Sequence, residues 1–260
     1  MYAIEFTAFQ IKNEMEVNRR EGLPNVAAIA MGSIEQHGPL LPLNTDTILA
    51  GNSLEEVDRC EGGRLFLYPP IQYTNADSAL CFAGTLSISH ETLRRILREI
   101  SACVQKQGFD ALFFLDGHSI NKPSLLEVAY ETVSNSFSNN SPFPVIILSV
   151  YQFYNKIKEK YKLSTGKHAD WFEGLLFRAS GGVMPGGAVD EPDLCPQKVT
   201  APTGIVGIPL QMRSDRGVIG RITHDSETEE LRNNIWSDYI NMLHSTYRNS
   251  MEQFFKQFKE

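Results

Sequence analysis

The chain reads as an α/β fold, a mostly parallel sheet with helices on both sides, on two observations. Short runs of purely apolar residues are bounded by Gly and Pro, which marks strands buried on both faces. Between them lie segments with apolar residues three and four apart, the spacing of amphipathic helices. Strand and helix in alternation imply right-handed βαβ crossovers. A length of 260 residues fits one large domain over residues 1–260 at least as well as two small ones.

The elements follow in order. A helix is predicted from about Phe6 to Asn18, then a buried strand over Val26-Ala-Ala-Ile-Ala-Met31, then a helical pattern after Asp46 that runs to Val57. Leu65-Phe-Leu-Tyr is a short strand closed by Pro69-Pro70. Leu93, Ile96, Leu97, Ile100 and Val104 share a helix face, with Ser89 as its cap. Ala111-Leu-Phe-Phe-Leu115, flanked by Gly108 and Gly117, is the clearest buried strand. A helix with Pro123 near its first turn follows, then the strand Pro144-Val-Ile-Ile-Leu-Ser-Val150. Residues Gly181 to Arg221 are rich in Gly and Pro and break the pattern, so an irregular lid-like insertion is expected there. A long helix is expected from about Glu229 to Phe258.

Composition narrows the function. With 24 basic against 31 acidic residues and no Lys/Arg cluster, a nucleic-acid partner is not expected. No run approaches the roughly 18 apolar residues that span a bilayer. Glu5 interrupts the N-terminus before an apolar run develops, so no secretory signal is expected. Cys60, Cys81, Cys103 and Cys195 are scattered without a Cys-x-x-Cys pair. They fit reduced cysteines in a cytoplasmic protein, each a small core or surface residue rather than a nucleophile.

Three clusters carry chemistry, each just beyond a strand, where parallel sheets place their sites. The first is Gly32-Ser-Ile-Glu-Gln-His-Gly-Pro-Leu-Leu-Pro-Leu-Asn-Thr-Asp46. Glu35 and His37 stand two apart, so an extended backbone aims both to one side. Asp46 can cap the next helix or bind a cation. Carboxylate and imidazole donors together suit zinc, manganese or iron. The plain alternative is a capped loop with polar surface residues. The second cluster is Asp116-Gly-His118, where Gly117 permits a sharp turn and Asp116 could orient a ligating imidazole. The third is Gly166-Lys-His168-Ala-Asp-Trp-Phe-Glu173. A His at a loop–helix junction can shuttle protons, and Glu173 can hold its tautomer or bind metal. Of the remaining histidines, His90 is placed at a helix start, His224 at the surface and His244 on the solvated side of the last helix.

Taken together, these segments resemble the creatininase (creatinine amidohydrolase) family. The first cluster is similar to its most specific signature, with Leu40 where a His is usual. Ala83-Gly-Thr-Leu-Ser-Ile88 resembles its Pro-Gly-Thr-x-Ser-Leu element, and Asp116-Gly-His-Ser-Ile-Asn121 its Asn-Gly-His-x-x-Asn turn. Lys167-His-Ala-Asp-Trp-Phe-Glu173 resembles its His-Ala-Gly-x-x-Glu-Thr-Ser segment, and Gly217-Val-Ile-Gly220 a late Gly-Val-x-Gly element. The resemblance covers about residues 26–230. It implies a three-layer α/β/α sandwich, a site for two divalent ions, hydrolysis of a C–N bond in a small, often cyclic amide, and assembly as a trimer or hexamer. Carried over by position, Glu35 and His118 would each bind one ion, His37 the other, and Asp46 would bridge both. His168 would transfer protons, with Glu173 as its partner or as a further ligand. Ile120 stands where creatininases proper have a metal-binding Glu, and Ser78 and Ala79 replace a Glu-His pair.

The leading reading is therefore a metal-dependent amidohydrolase, with a formamidopyrimidine deformylase and a peptidase for modified peptides as variants. The alternative is a degenerate relative that binds a small ligand or one metal without turnover. A dinucleotide-binding protein is excluded, because no Gly-x-Gly-x-x-Gly follows a strand.

Overall fold

The apolar run after Asn25 forms β1 (Val26–Met31), and all six of its residues are buried. It is an inner strand of a four-stranded sheet ordered β2-β1-β3-β4, with β2 at Phe66–Ile71, β3 at Ala111–Asp116 and β4 at Val145–Ser149. Every pairing is parallel. These coordinates are a computed structural model that describes residues 1–163, 166–185, 194–195, 213–214, 218–221 and 227–257.

Side chains alternate across a strand, so β1 feeds two cores. Val26, Ala28 and Ala30 pack with Phe113 and Leu115 beneath α2 (Thr45–Cys60), α5 (Tyr154–Tyr161), α6 (Trp171–Ala179) and α7 (Glu229–Gln257). Ala27, Ile29 and Met31 pack with Leu112 and Phe114 against α1 (Ala8–Arg20), α3 (His90–Lys106) and α4 (Lys122–Ser138). The result is an α/β sandwich with a helical layer on each face. Helix starts follow their local chemistry. Thr7 and Gln10 form a capping box on α1, Ser89 accepts from the Thr92 amide on α3, and Pro123 lies in the first turn of α4.

Three features depart from the sequence expectation. Strand β2 does not stop at Pro69-Pro70 but continues to Ile71. It can do so because β2 is an edge strand and its register with β1 slips between Ile29 and Met31, so the missing N–H groups break no inner ladder. Helix α2 begins at Thr45, after Asn44, so Asp46 lies inside its first turn and does not cap it. Helix α5 had no expected counterpart. The lid expected over Gly181 to Arg221 falls largely outside the described residues, as do Gly217, His224 and Phe258. Within it, β5 (Leu194–Cys195) pairs antiparallel with β6 (Gly220–Arg221).

One close contact positions the site. Strands β1 and β3 run in step, with Met31 opposite Asp116, so Gly32 and Gly117 leave the sheet side by side. A Cβ on Gly32 would lie 2.4 Å from the Thr47 Cα, and one on Gly117 2.4 Å from the Asp46 carbonyl oxygen. The first turn of α2 thus rests on the ends of both strands, and only glycine leaves room for it. Gly51, further along α2, has open space around its Cβ position. Gly32→Ala should lower stability by about 1–3 kcal/mol through overpacking, while Gly51→Ala should raise it by up to about 1 kcal/mol through helix propensity. Thermal melts of the two variants check this, and equal shifts would mean that α2 does not press on the sheet.

Candidate metal centre

Beyond β1 the chain stays extended, with Ile34 bridging Leu86 and His37 bridging Leu41. Glu35 and His37 consequently share a side, and both are buried. The His37 Nδ1 lies 3.0 Å from the Glu35 carbonyl oxygen, which turns Nε2 toward Asp46 Oδ1 at 3.2 Å. From the start of α2, Asp46 reaches the other way too: its Oδ2 is 2.8 Å from His118 Nδ1 and accepts from Ser33 Oγ at 3.0 Å. The second His118 nitrogen, Nε2, lies 2.9 Å from the Asn75 carbonyl oxygen and 3.3 Å from Glu35 Oε2.

His168 stands outside α6, not in its first turn. It pairs with Ile219 across a backbone bridge, and Nε2 lies 3.4 Å from Glu35 Oε1. Its ring is 4.9 Å from that of His37, centre to centre. The chain then turns through Ala169 at φ +51°, and Asp170 caps α6 by accepting the Glu173 amide at 3.1 Å. Glu173 reaches back in turn, with Oε2 accepting from the Ala169 amide at 2.7 Å. Its other oxygen faces the Tyr151 hydroxyl at 3.1 Å, and that hydroxyl is 3.0 Å from Asp46 Oδ1. The structure therefore brings Glu35, His37, Asp46, His118 and Glu173, all buried, and the partly exposed His168 into one cluster.

Asp116 acts differently from the expectation that it orients an imidazole. It accepts from the His118 backbone amide at 3.1 Å and from Asn121 Nδ2 at 3.0 Å, so it fixes the turn and leaves the ring to Asp46 and Asn75. His244 is not free in solvent either: its Nε2 lies 2.6 Å from Glu61 Oε1, tying α7 to the end of α2. The sequence motifs mark no role for Tyr151, Asn75 or Ser33. Tyr151 had a usable signal, since it follows β4 as His118 follows β3. Asn75 acts through its backbone, and the sequence marks no such role.

The electrostatics of the cluster favour added positive charge. Burial works against a charged His37, yet Asp46, Glu173 and Glu35 push its pKa up to about 10. Burial opposes His118 likewise, while Glu35 and Asp46 raise it to about 9. Each ring presents both nitrogens to oxygen acceptors, which only an imidazolium satisfies. Against burial, these two histidines hold Asp46 well below the usual carboxylate range. Burial raises Glu173 to about 7 and raises Glu35 as well. His168 goes the other way, down to about 3, through burial and the charge on His37. Glu35 Oε2 is buried without a hydrogen-bond partner, an atom left facing the cluster. Among the described residues, two sets bring ligand atoms within 4.8 Å of one another: Glu35, His37 and His168, and His37, Asp46 and Glu173. Imidazole nitrogen and carboxylate oxygen at this spacing fit a borderline divalent cation.

The sequence pattern of creatinine amidohydrolase matches residues 12–239. The chain belongs to the creatininase family. Solved structures agree on the fold. A creatininase described as the manganese form superposes with a TM-score of 0.76 at 19% identity, over 96% of this chain and 98% of that one. A putative creatinine amidohydrolase from Bacteroides fragilis NCTC 9343 gives 0.67 at 18%, over 88% and 90%. Among curated proteins, mycofactocin precursor peptide peptidases share shorter stretches. That of Mycobacterium ulcerans (strain Agy99) is 41% identical over 108 residues, which is 37% of this chain and 41% of the relative. That of Mycolicibacterium smegmatis (strain ATCC 700084 / mc(2)155) is 33% identical over 101 residues, or 37% and 40%. The chain thus spans about two-fifths of the curated relatives it matches. Family and relatives together support a hydrolase of amide bonds. No helix among the described residues is long and apolar enough to cross a membrane.

Proton binding gives a testable pH dependence. His37 and His118 hold protons more tightly in the folded chain than at their ordinary 6.5. Their contribution is complete below about pH 6.5 and lost as pH rises through about 9 to 10. Glu173 and Asp116, both raised to about 7, bind more protons folded than unfolded at mildly acidic pH, so their effect on stability has the same sign. The Tm of the chelator-stripped protein should fall from about pH 6 to about pH 10. Manganese affinity should rise over that range, because the ion displaces those protons. A flat Tm would show that the imidazoles are neutral.

Proposed function

We infer that this chain is a divalent-metal amidohydrolase that cleaves a C–N bond of a small amide. The observation that carries the reading is Asp46, buried at a helix start with one oxygen toward each half of the cluster. Its Oδ1 faces His37 and Tyr151, and its Oδ2 faces His118 and Ser33. His37, Glu173 and the first oxygen would hold one ion, and Glu35, His118 and the second oxygen another, with Asp46 common to both. His37 serves a single ion, because its Nδ1 is taken by the Glu35 carbonyl. Solved creatininases include a zinc–zinc form and a manganese form, which supports either metal in a paired site.

Bound divalent cations supply Lewis acidity, which lowers the pKa of water and polarises an amide carbonyl. The chain's own groups supply the rest. Burial and the charge on His37 keep His168 a neutral imidazole, the form that would accept a proton lost by water. Its Nε2, 3.4 Å from Glu35 Oε1, stands beside a carboxylate that would hold an ion. It then gives that proton to the departing nitrogen, which would otherwise leave as a poor amide anion. Glu173 anchors the His168 loop through the Ala169 amide, so it sets where that imidazole stands as well as offering an oxygen. The names of the curated relatives favour a peptide-derived amide over a nucleotide one. Assembly into a trimer or hexamer, checked by sedimentation of the purified protein, and a place in the cytoplasm belong to the same proposal.

Two variants test the reading. Asp46→Asn keeps size but has one oxygen and no charge. Bound metal should drop to one equivalent per chain or less, and amide hydrolysis by several orders of magnitude. Glu173→Gln should lose one equivalent and leave the other nearly intact. Metal analysis with a hydrolysis assay reads both. Wild-type protein that holds one ion and turns over no amide would make the chain a metal-binding relative without catalysis. Asp46→Asn with full metal and activity would reduce Asp46 to a structural carboxylate.

A further inference from the structure

Above the cluster opens a cavity of about 350 Å³, at the small end of ligand pockets. Glu35, His118, Tyr151 and His168 line it, and so do two cations, Lys167 and Arg213. Glu35 and His118 are buried, Arg213 is half-exposed and Lys167 exposed, so the lining passes from a floor with the Glu35 carboxylate to two cations nearer solvent. This polarity runs against the chain as a whole, in which 31 acidic residues outnumber 24 basic ones.

Elsewhere arginines are engaged. Arg98 pairs with Glu127 and Glu131, and Arg178 and Arg232 share Glu227. Among the described residues, neither Lys167 Nζ nor the Arg213 guanidinium has a hydrogen-bond or ion-pair partner. A half-exposed guanidinium on a cavity wall, with no carboxylate among the described residues to meet it, is a donor set awaiting an acceptor.

Both cations are also mounted on one backbone frame. The Lys167 amide donates to the Ile219 carbonyl at 2.7 Å, and the Ile219 amide to the His168 carbonyl at 2.9 Å. Ser214, next to Arg213, donates its hydroxyl to the Val218 carbonyl at 2.6 Å. Gly166 permits this pairing, since a Cβ there would lie 1.8 Å from the Ile219 oxygen. The segment that presents His168 to the cluster therefore presents Lys167 to the same cavity, with Arg213 tied in through Val218.

We propose that the substrate is an amide that carries a carboxylate, and that Lys167 and Arg213 bind that carboxylate at the cavity mouth while the amide lies over the cluster. Arg213 offers the planar fork that matches a carboxylate, and Lys167 a mobile point charge beside it. N-acyl amino acids and short peptides with a free C-terminus have this form, and neutral cyclic amides do not. The proposal rests on the hydrolase reading for turnover, but its binding step stands apart from it.

The test uses the manganese-loaded full chain, its Lys167→Gln/Arg213→Gln double variant, and two probes, N-acetylalanine and its neutral amide. Calorimetry should show the acid binding wild-type protein about tenfold or more tightly than the amide, the range expected of charged hydrogen bonds. The double variant should lose that preference at unchanged metal content. A preference that survives in the double variant would put the carboxylate on the metal and overturn the proposal. So would equal binding of both probes, or inorganic phosphate binding as tightly as the acid. In hydrolysis of N-acyl amino acids against their C-terminal amides, the same preference should sit in KM and leave kcat unchanged. Acid-selective binding with no turnover of either would keep the carboxylate site and sink the hydrolase reading. Turnover of both amides without acid-selective binding would do the reverse.

Discussion

The seat of α2 on the sheet is the contact from which the rest follows. Gly32 and Gly117 end neighbouring strands without side chains, and the first turn of α2 fills that space. A helix start carries partial positive charge, which suits the carboxylate of Asp46 lodged there. Seated so, Asp46 can reach His37 on one side and His118 on the other without leaving its helix. Were the turn an ångström higher, one of the two contacts would be lost. The cluster thus owes its geometry to two absent methyl groups more than to any one ligand.

Around that carboxylate, charge is balanced locally. Two histidines stay protonated because carboxylates crowd them, and a third is kept neutral by burial and by the charge on those two. A divalent cation would take over the role of the protons on His37 and His118 while leaving the acidic side chains where they are. Glu35 has its Oε2 turned inward with no hydrogen-bond donor aimed at it, and the His118 imidazolium 3.3 Å away is the positive charge it meets. The Tyr151 hydroxyl has one hydrogen but two carboxylates within reach, so Asp46 and Glu173 share it.

Much of this was legible in the sequence, and the failures have physical causes. Buried parallel strands announce themselves by length and purity of apolar content, which is why β1, β3 and β4 were readable. Strand β2 reads short in the sequence because proline signals a stop, whereas at a sheet edge it interrupts nothing. Glu35, His37 and His118 stood out through spacing and the rule that sites lie past strand ends. Asp46 was half legible: the same position suits a cap and a ligand, and only the glycines beneath α2 decide between them. Asn75 contributes a backbone oxygen and Ser33 a hydroxyl, groups that nearly every residue or loop possesses. Lys167 and Arg213 are 46 positions apart, and nothing local shows that a strand-like pairing at Ile219 joins them.

The prolines of β2 have an effect outside the site. An edge strand exposes hydrogen-bonding groups to any other extended chain, and a sheet this apolar would be a ready template. Part of that edge is already engaged, since the Leu67 amide donates to the Met1 carbonyl at 2.7 Å and Tyr2 bridges the same residue. Past Leu67 the next turn of strand is Tyr68-Pro-Pro-Ile71, in which two successive residues have no N–H to offer. A foreign strand arriving there finds carbonyls without matching donors and cannot extend a ladder. The same pair of residues that looked like the end of a strand works as its guard, keeping copies of this protein from joining edge to edge as they fold.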